Sequence, residues 1–242
     1  GAPLLSPPPS RWRGRFLPPP PPANGIGRAG GAMGSRLMGA RQGPVVYSGR
    51  VYAAGLTHGV RAFDLHDGSL IWHHETDMRL AGTPGAGDGL VVVGGLDGEV
   101  LALDANSGAV RWTATLGNEV IAAPAIGQGV VVVRSNDGRV TAFETSTGEE
   151  RWFWNREMPL LTVRGADAPV LGPGVAFVGN DDGTLIALNL ADGQPMWEQR
   201  VGQPDGRTEL ERMADIDGSP VLDNVTLFAS SYRGQTMAIE AP

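Results

Sequence analysis

The residues able to do acid–base, nucleophilic or metal chemistry are few. The chain has four His (His58, His66, His73 and His74) and no Cys. Without Cys there are no disulfides, thiolate metal sites or Cys nucleophiles. His73 and His74 are adjacent in a segment that reads as a strand, so their rings point to opposite faces and cannot chelate one metal ion. His66 falls in a turn, and no His stands at the spacing of a metal motif. Neither G-x-S-x-G nor H-E-x-x-H occurs, and a P-loop needs Lys, whereas all 19 basic residues are Arg. Asp215-Ile-Asp217-Gly218 carries part of a calcium-loop pattern, but Met213 stands where the first ligand belongs. Gly25-Ile-Gly27-Arg-Ala-Gly30 matches G-x-G-x-x-G formally. A dinucleotide fingerprint needs a strand before it and a helix after it, and here a Pro run precedes and Gly-rich sequence follows. Asn224-Val-Thr226 is a glycosylation sequon that lies on a predicted strand and is set aside. The residues argue against an enzyme, and no cofactor, metal or catalytic residue is assigned.

What the sequence does contain is a repeat. Four segments align: Ala62-Phe-Asp-Leu-His-Asp-Gly-Ser-Leu-Ile-Trp72, Ala102-Leu-Asp-Ala-Asn-Ser-Gly-Ala-Val-Arg-Trp112, Ala142-Phe-Glu-Thr-Ser-Thr-Gly-Glu-Glu-Arg-Trp152 and Ala187-Leu-Asn-Leu-Ala-Asp-Gly-Gln-Pro-Met-Trp197. A period near 40 made of short strands is the signature of β-propeller blades. The third unit parses into Ala122 to Ile126, Val130 to Arg134, Arg139 to Glu144 and Glu149 to Trp154. Its hairpins fall at Asn136-Asp137-Gly138 and Ser146-Thr147-Gly148, where Gly tolerates positive φ. Asp97-Gly98 and Asp182-Gly183 recur at the first hairpin; Gly68, Gly108 and Gly193 recur at the second. The fold class is therefore all-β, a propeller of four-stranded antiparallel blades, about four and a half of them, starting near residues 44, 84, 124, 169 and 220. One blade cannot bury both of its faces, so neighbours stack. Trp72, Trp112, Trp152 and Trp197, each at one outer-strand position, are expected to dock between blades.

Residues 1–43 are of another kind. They hold nine Pro before residue 23, the six Arg at 11, 13, 15, 28, 36 and 41, and no acid. Such sequence is polyproline II or disordered and has no apolar core for a signal peptide; it reads either as a PxxP-type ligand or as non-native sequence, and the abrupt change of composition at Gly43–Pro44 favours the second. The remainder, 44–242, carries the other 13 basic residues against all 26 acidic ones. That balance argues against nucleic acid and against anionic lipid. No apolar run is long enough to span a membrane as a helix.

Loop length marks out one region. The intervals Trp72 to Pro84, Trp112 to Pro124, Trp152 to Pro169 and Trp197 to Pro220 are 12, 12, 17 and 23 residues. The last two connections follow consecutive blades and leave from equivalent strand ends, so they stand side by side. The first offers Leu160, Leu161 and Val163 beside Arg164. The second is acidic, with Asp205, Glu209, Glu211, Asp215 and Asp217. Apolar anchors ringed by charge suit a protein interface.

The blade motif with its Gly-x-x-x-Trp ending resembles the pyrroloquinoline-quinone-like propeller repeat. Met158-Pro-Leu-Leu-Thr-Val-Arg-Gly-Ala-Asp-Ala-Pro169 and Thr208-Glu-Leu-Glu-Arg-Met-Ala-Asp-Ile-Asp-Gly-Ser-Pro220 resemble the BamB lipoprotein family of the outer-membrane β-barrel assembly (BAM) machinery, over about residues 44–242. The resemblance implies an eight-bladed, non-enzymatic scaffold on the periplasmic face of the outer membrane in a Gram-negative bacterium. Its implied partner is the periplasmic part of the barrel-forming subunit, with unfolded outer-membrane proteins as a further one. The implied contact positions are Leu161, Val163, Arg164, Asp215 and Asp217; Val163 stands where Leu is expected. The sequence departs from the family in having no lipobox, and it is expected to be a fragment that associates through its open ends. Two other readings are a quinone-dependent dehydrogenase-type propeller, which calls for an axial cation site, and a structural propeller with no dedicated partner.

Overall fold

The computed structural model describes residues 43–56, 58–156, 167–180, 182–201, 220–223, 226–230 and 236–240. The chain divides into two units, Gly1–Arg36 and Leu37–Pro242; every described residue lies in the second. Nineteen strands and no helix occur among them. The first sheet holds β1 (Val45–Tyr47), β2 (Arg50–Gly55), β3 (Gly59–Asp64) and β4 (Leu70–His74). The second holds β5 (Gly85–Gly87), β6 (Leu90–Gly94), β7 (Glu99–Asp104) and β8 (Val110–Thr115), and the third β9 (Ala125–Gly127), β10 (Val130–Arg134), β11 (Val140–Glu144) and β12 (Glu150–Trp154). The fourth holds β13 (Val170–Gly172), β14 (Val175–Gly179), β15 (Thr184–Asn189) and β16 (Pro195–Arg200), and the fifth β17 (Val221–Asp223), β18 (Thr226–Ser230) and β19 (Thr236–Glu240). Each sheet is an antiparallel meander in chain order.

The first strand of each sheet is short, and β9 begins at Ala125 rather than at Ala122. Pro124 has no amide to donate to a ladder. The inner strands β1, β5, β9, β13 and β17 touch one another in that order. Their backbones come so close that a Cβ on Gly87 would lie 2.5 Å from the Ile126 carbonyl oxygen, which explains the glycines of β5.

Burial accounts for the composition of the middle strands. Val91 and Val93 of β6 pack toward the first sheet with Tyr52 and Trp72. Leu90 and Val92, the alternate residues, pack toward the third with Trp112, Val131 and Phe143. A strand between two neighbours is covered on both faces and reads as a continuous apolar run. Leu90–Gly94 and the four valines of 130–133 are such runs, buried at every position.

The Trp repeat is the device that joins one sheet to the next. The indole Nε1 of Trp72 donates to the Ala105 carbonyl at 3.1 Å, that of Trp112 to Thr145 at 2.9 Å and that of Trp152 to Leu190 at 2.9 Å. Each acceptor sits in the last hairpin of the following sheet. In that same hairpin the ring lies against a glycine: Trp72 on Gly108, Trp112 on Gly148, Trp152 on Gly193. Those glycines have φ of 72°, 74° and 73°, and an added Cβ would come within 2.5–2.6 Å of the ring. The Gly-x-x-x-Trp pattern therefore pairs a socket for the preceding sheet with a plug for the following one.

A bulge aims each plug. In every complete sheet the register slips between the third and outer strands just after the small residue opposite Trp: Ala62, Ala102, Ala142 and Ala187. The extra outer-strand residue is Ile71, Arg111, Arg151 or Met196, the one before each Trp. A bulge of this kind raises local twist and re-aims the next side chain. Trp197 differs from the other three. It stacks obliquely on Phe177, centroids 5.8 Å apart, and stays half-buried. No second hairpin of the fifth sheet occurs among the described residues.

Candidate partner-binding face

Because strands alternate in direction, the β2–β3 type hairpins and the connections leaving each outer strand emerge at one end of the sheets. The remaining turns emerge at the other end. At the first end, short connections are stitched onto the next sheet's hairpin. The Ala81 amide donates to Gly94 at 3.1 Å and the Leu96 amide to Arg79 at 2.9 Å. In the second connection the Asn136 amide donates to Glu119 at 2.8 Å, while the Val120 amide donates back to Gly95 of its own sheet at 3.0 Å. Side chains repeat the arrangement: Arg79 pairs with Asp97 at 2.7 Å, and Asn136 Nδ2 donates to Glu119 Oε2 at 3.0 Å.

The third connection begins in the same way and with more charge. Arg156, two residues past β12, reaches the fourth sheet and forms ion pairs of 2.8 Å with both Asp182 and Glu198. It also donates to Thr184 Oγ1 at 3.4 Å. Partial burial works against the guanidinium charge, but the hydrogen bond to Glu198 and the fields of Asp182 and Glu198 outweigh it. They hold Arg156 above its ordinary pKa. Glu198 is the third residue from the end of β16, where the fourth connection begins. That connection starts with buried Val201, whose amide donates to Gly183 at 2.8 Å. Arg156 thus ties the root of the third connection to the strand that carries the fourth.

Leu161, Val163 and Arg164 fall within residues 157–166, and Asp215 and Asp217 within 202–219. All five lie outside the described residues; their supporting strands lie inside. The role of Arg156 was missed in the sequence. Arg79 and Arg156 occupy different places after their Trp residues, so the repeat gives no signal for it. Arg156→Ala is expected to cost about 1 kcal/mol, because the triad is one-third exposed and screened by salt. The loss should shrink when the unfolding measurement is repeated at high ionic strength.

The His residues gather elsewhere. His58, Arg61, His73, Glu75, Thr76 and Asp77 line an open cleft on the first sheet. His73 Nε2 lies 2.7 Å from the His58 carbonyl oxygen, and its Nδ1 lies 3.9 Å from Glu75 Oε1. Among the described residues, no three His, Asp or Glu come together as a metal-binding group.

Comparison with known proteins agrees with this architecture. A family model described as outer membrane protein assembly factor BamB matches residues 56–242. The outer membrane protein assembly factor BamB of Xanthomonas campestris pv. campestris is 52% identical over 230 residues, covering 91% of this chain and 55% of that protein. The protein of the same name from Alkalilimnicola ehrlichii is 52% identical over 196 residues, covering 81% and 51%. The chain spans about half the length of these curated relatives. Among solved structures, BamB from Moraxella catarrhalis superposes with a TM-score of 0.74 at 28% identity, over 82% of this chain and 60% of that one. The quinohemoprotein alcohol dehydrogenase of Comamonas testosteroni has a TM-score of 0.62 at 16% identity, covering 84% of this chain and 41% of that one. At that identity the likeness is one of fold alone.

Proposed function

The chain belongs to the outer membrane protein assembly factor BamB family, and from that premise we propose that it acts as a non-enzymatic scaffold subunit of the outer-membrane protein assembly machinery. The observation that carries this reading is the family match across residues 56–242. In this reading residues 44–242 are the working part, on the periplasmic face of the outer membrane. They hold the periplasmic domains of the barrel-forming subunit and so aid insertion of β-barrel proteins.

The docking surface we propose is the sheet end from which the two long connections leave. Leu161 and Val163 supply the apolar contact, and Arg164, Asp215 and Asp217 set its orientation. Two findings support the choice. The roots of both connections stand on adjacent sheets, and the Arg156–Glu198 pair holds those roots together. The quinone-dehydrogenase reading has only the shared fold in its favour.

The test is binding of the protein to immobilised periplasmic domains of the barrel subunit. Leu161→Ala and Arg164→Ala are each expected to weaken binding by about 1–3 kcal/mol while the unfolding midpoint is unchanged. Glu149→Ala, an exposed charge at the opposite sheet end, should bind like the unmodified chain. Equal binding by all of them would remove the docking surface. Failure of the unmodified chain to bind would remove the scaffold reading itself.

A further inference from the structure

The buried polar groups of this protein gather at one joint. Among the described residues, the buried polar or charged side chains are Arg134, Ser135, Thr141, Asn180 and Thr184. All five belong to the third and fourth sheets, and four of them stand where β10 turns into β11 and β14 into β15. That is the sheet end from which the two long connections leave. By register, Arg134 corresponds to Ala54 of the first sheet, Gly94 of the second and Gly179 of the fourth. Three of the four places are small; the third sheet alone puts a long, charged side chain there, only 3% exposed. A buried cation is costly unless it is held. Arg134 is held across the joint: its Nη1 donates to the Gly179 carbonyl at 2.6 Å. Gly179 is the last residue of β14, at the base of the β14–β15 hairpin.

Both long connections rest on this hairpin. Arg156, at the root of the third connection, pairs with Asp182 at 2.8 Å and donates to Thr184 Oγ1 at 3.4 Å. Val201, at the root of the fourth, donates its amide to the Gly183 carbonyl at 2.8 Å. Inside the hairpin, Asn180 Nδ2 donates to Thr184 Oγ1 at 3.2 Å, and the Thr184 hydroxyl donates to the Asp182 carboxylate. The Thr184 hydroxyl therefore links the buried asparagine to the acid that Arg156 grips. Removing one member of such a network leaves its partners buried and unpaired, so the network favours a single arrangement.

We propose that Arg134 and Asn180 are positioning residues for partner binding. They fix the β14–β15 hairpin against the third sheet, and the hairpin fixes the placement of the two long connections relative to each other. Neither residue touches the partner. The proposal rests on the docking surface proposed above and adds what holds that surface in shape.

Arg134→Met tests it, because Met keeps much of the bulk and removes the donors. Hydrogen exchange in the chain without partner is the first measurement. The Asn180, Gly183 and Val201 amides should exchange about tenfold faster, while Gly95 and Leu96, in the matching hairpin of the second sheet, keep their rates. Binding to immobilised periplasmic domains of the barrel subunit is the second, and it should weaken about tenfold. Asn180→Ala removes one hydrogen bond and no charge. It should show the same pattern at about threefold, and it decides the matter if Arg134→Met does not fold. Trp112→Phe, a loss of stability at the joint between the second and third sheets, should bind like the unmodified chain. Faster exchange at all five amides alike would show a general loss of stability and overturn the positioning role. Unchanged exchange at the β14–β15 hairpin, or faster exchange there with unchanged binding, would overturn this proposal alone. Failure of the unmodified chain to bind would overturn the scaffold reading and this proposal with it.

Discussion

Trp112→Ala is expected to destabilise the fold by about 3–5 kcal/mol, the range for truncating a buried aromatic. Trp112 is only 7% exposed. Its ring tilts against Phe143 of the next sheet with centroids 5.8 Å apart, and its other flank is the bare backbone of Gly148. Truncation opens a cavity between two sheets rather than within one, and neither sheet can close it without breaking its own ladder. It also strands the Thr145 carbonyl that the indole now satisfies, a further loss on the order of 1 kcal/mol. Trp112→Phe separates the two effects. It keeps most of the buried area and loses the hydrogen bond, so about 1–2 kcal/mol should go. Denaturant unfolding measures both. A loss below about 1 kcal/mol for the Ala variant would mean that the ring does not hold the sheets together.

The parts of the fold that were legible in the sequence are those that repeat. Strand order, both hairpins and the Trp position follow from four aligned segments, because each sheet solves the same packing problem with the same residues. The pairing of Trp72 with Gly108 is different. It joins residues from successive repeats, and an alignment of repeats lines the two up in separate columns without linking them. The bulges before Trp72, Trp112, Trp152 and Trp197 were also hidden, since an extra outer-strand residue leaves no mark on a pattern of alternating apolar positions. Strand starts were less legible still. Ala122 to Pro124 read as strand by hydrophobicity, yet Pro124 cannot join a ladder. At the candidate site, unequal loop lengths singled out one sheet end from arithmetic alone. Arg156 could not be found that way, because its partners Asp182 and Glu198 are distant in sequence and its own position has no counterpart in the other repeats. The five proposed contact residues came from resemblance and not from geometry.

Gly193→Ala is the second large effect expected, and Gly68→Ala is its internal reference. Both glycines have nearly the same backbone conformation, φ 73° and φ 71°, so an Ala at either pays the same left-handed strain, about 1 kcal/mol. The surroundings differ. At Gly68 nothing lies within 4 Å of the new Cβ, whereas at Gly193 Trp152 Cε3 lies 2.5 Å away. The Trp152 ring cannot withdraw, because its Nε1 is bonded to the Leu190 carbonyl at 2.9 Å in the same hairpin. Forcing a methyl into that contact adds an overpacking cost of about 1–3 kcal/mol. Gly68→Ala should therefore cost about 1 kcal/mol and Gly193→Ala about 2–4 kcal/mol in the same unfolding measurement. A double-mutant cycle closes the argument. In a Trp152→Ala background there is no ring to collide with, and Gly193→Ala should fall back to the Gly68→Ala value. Equal losses for the two glycines in the unmodified background would show that the third and fourth sheets are not joined through this socket. An undiminished Gly193→Ala loss in the Trp152→Ala background would show that its cost lies in the backbone and not in the ring.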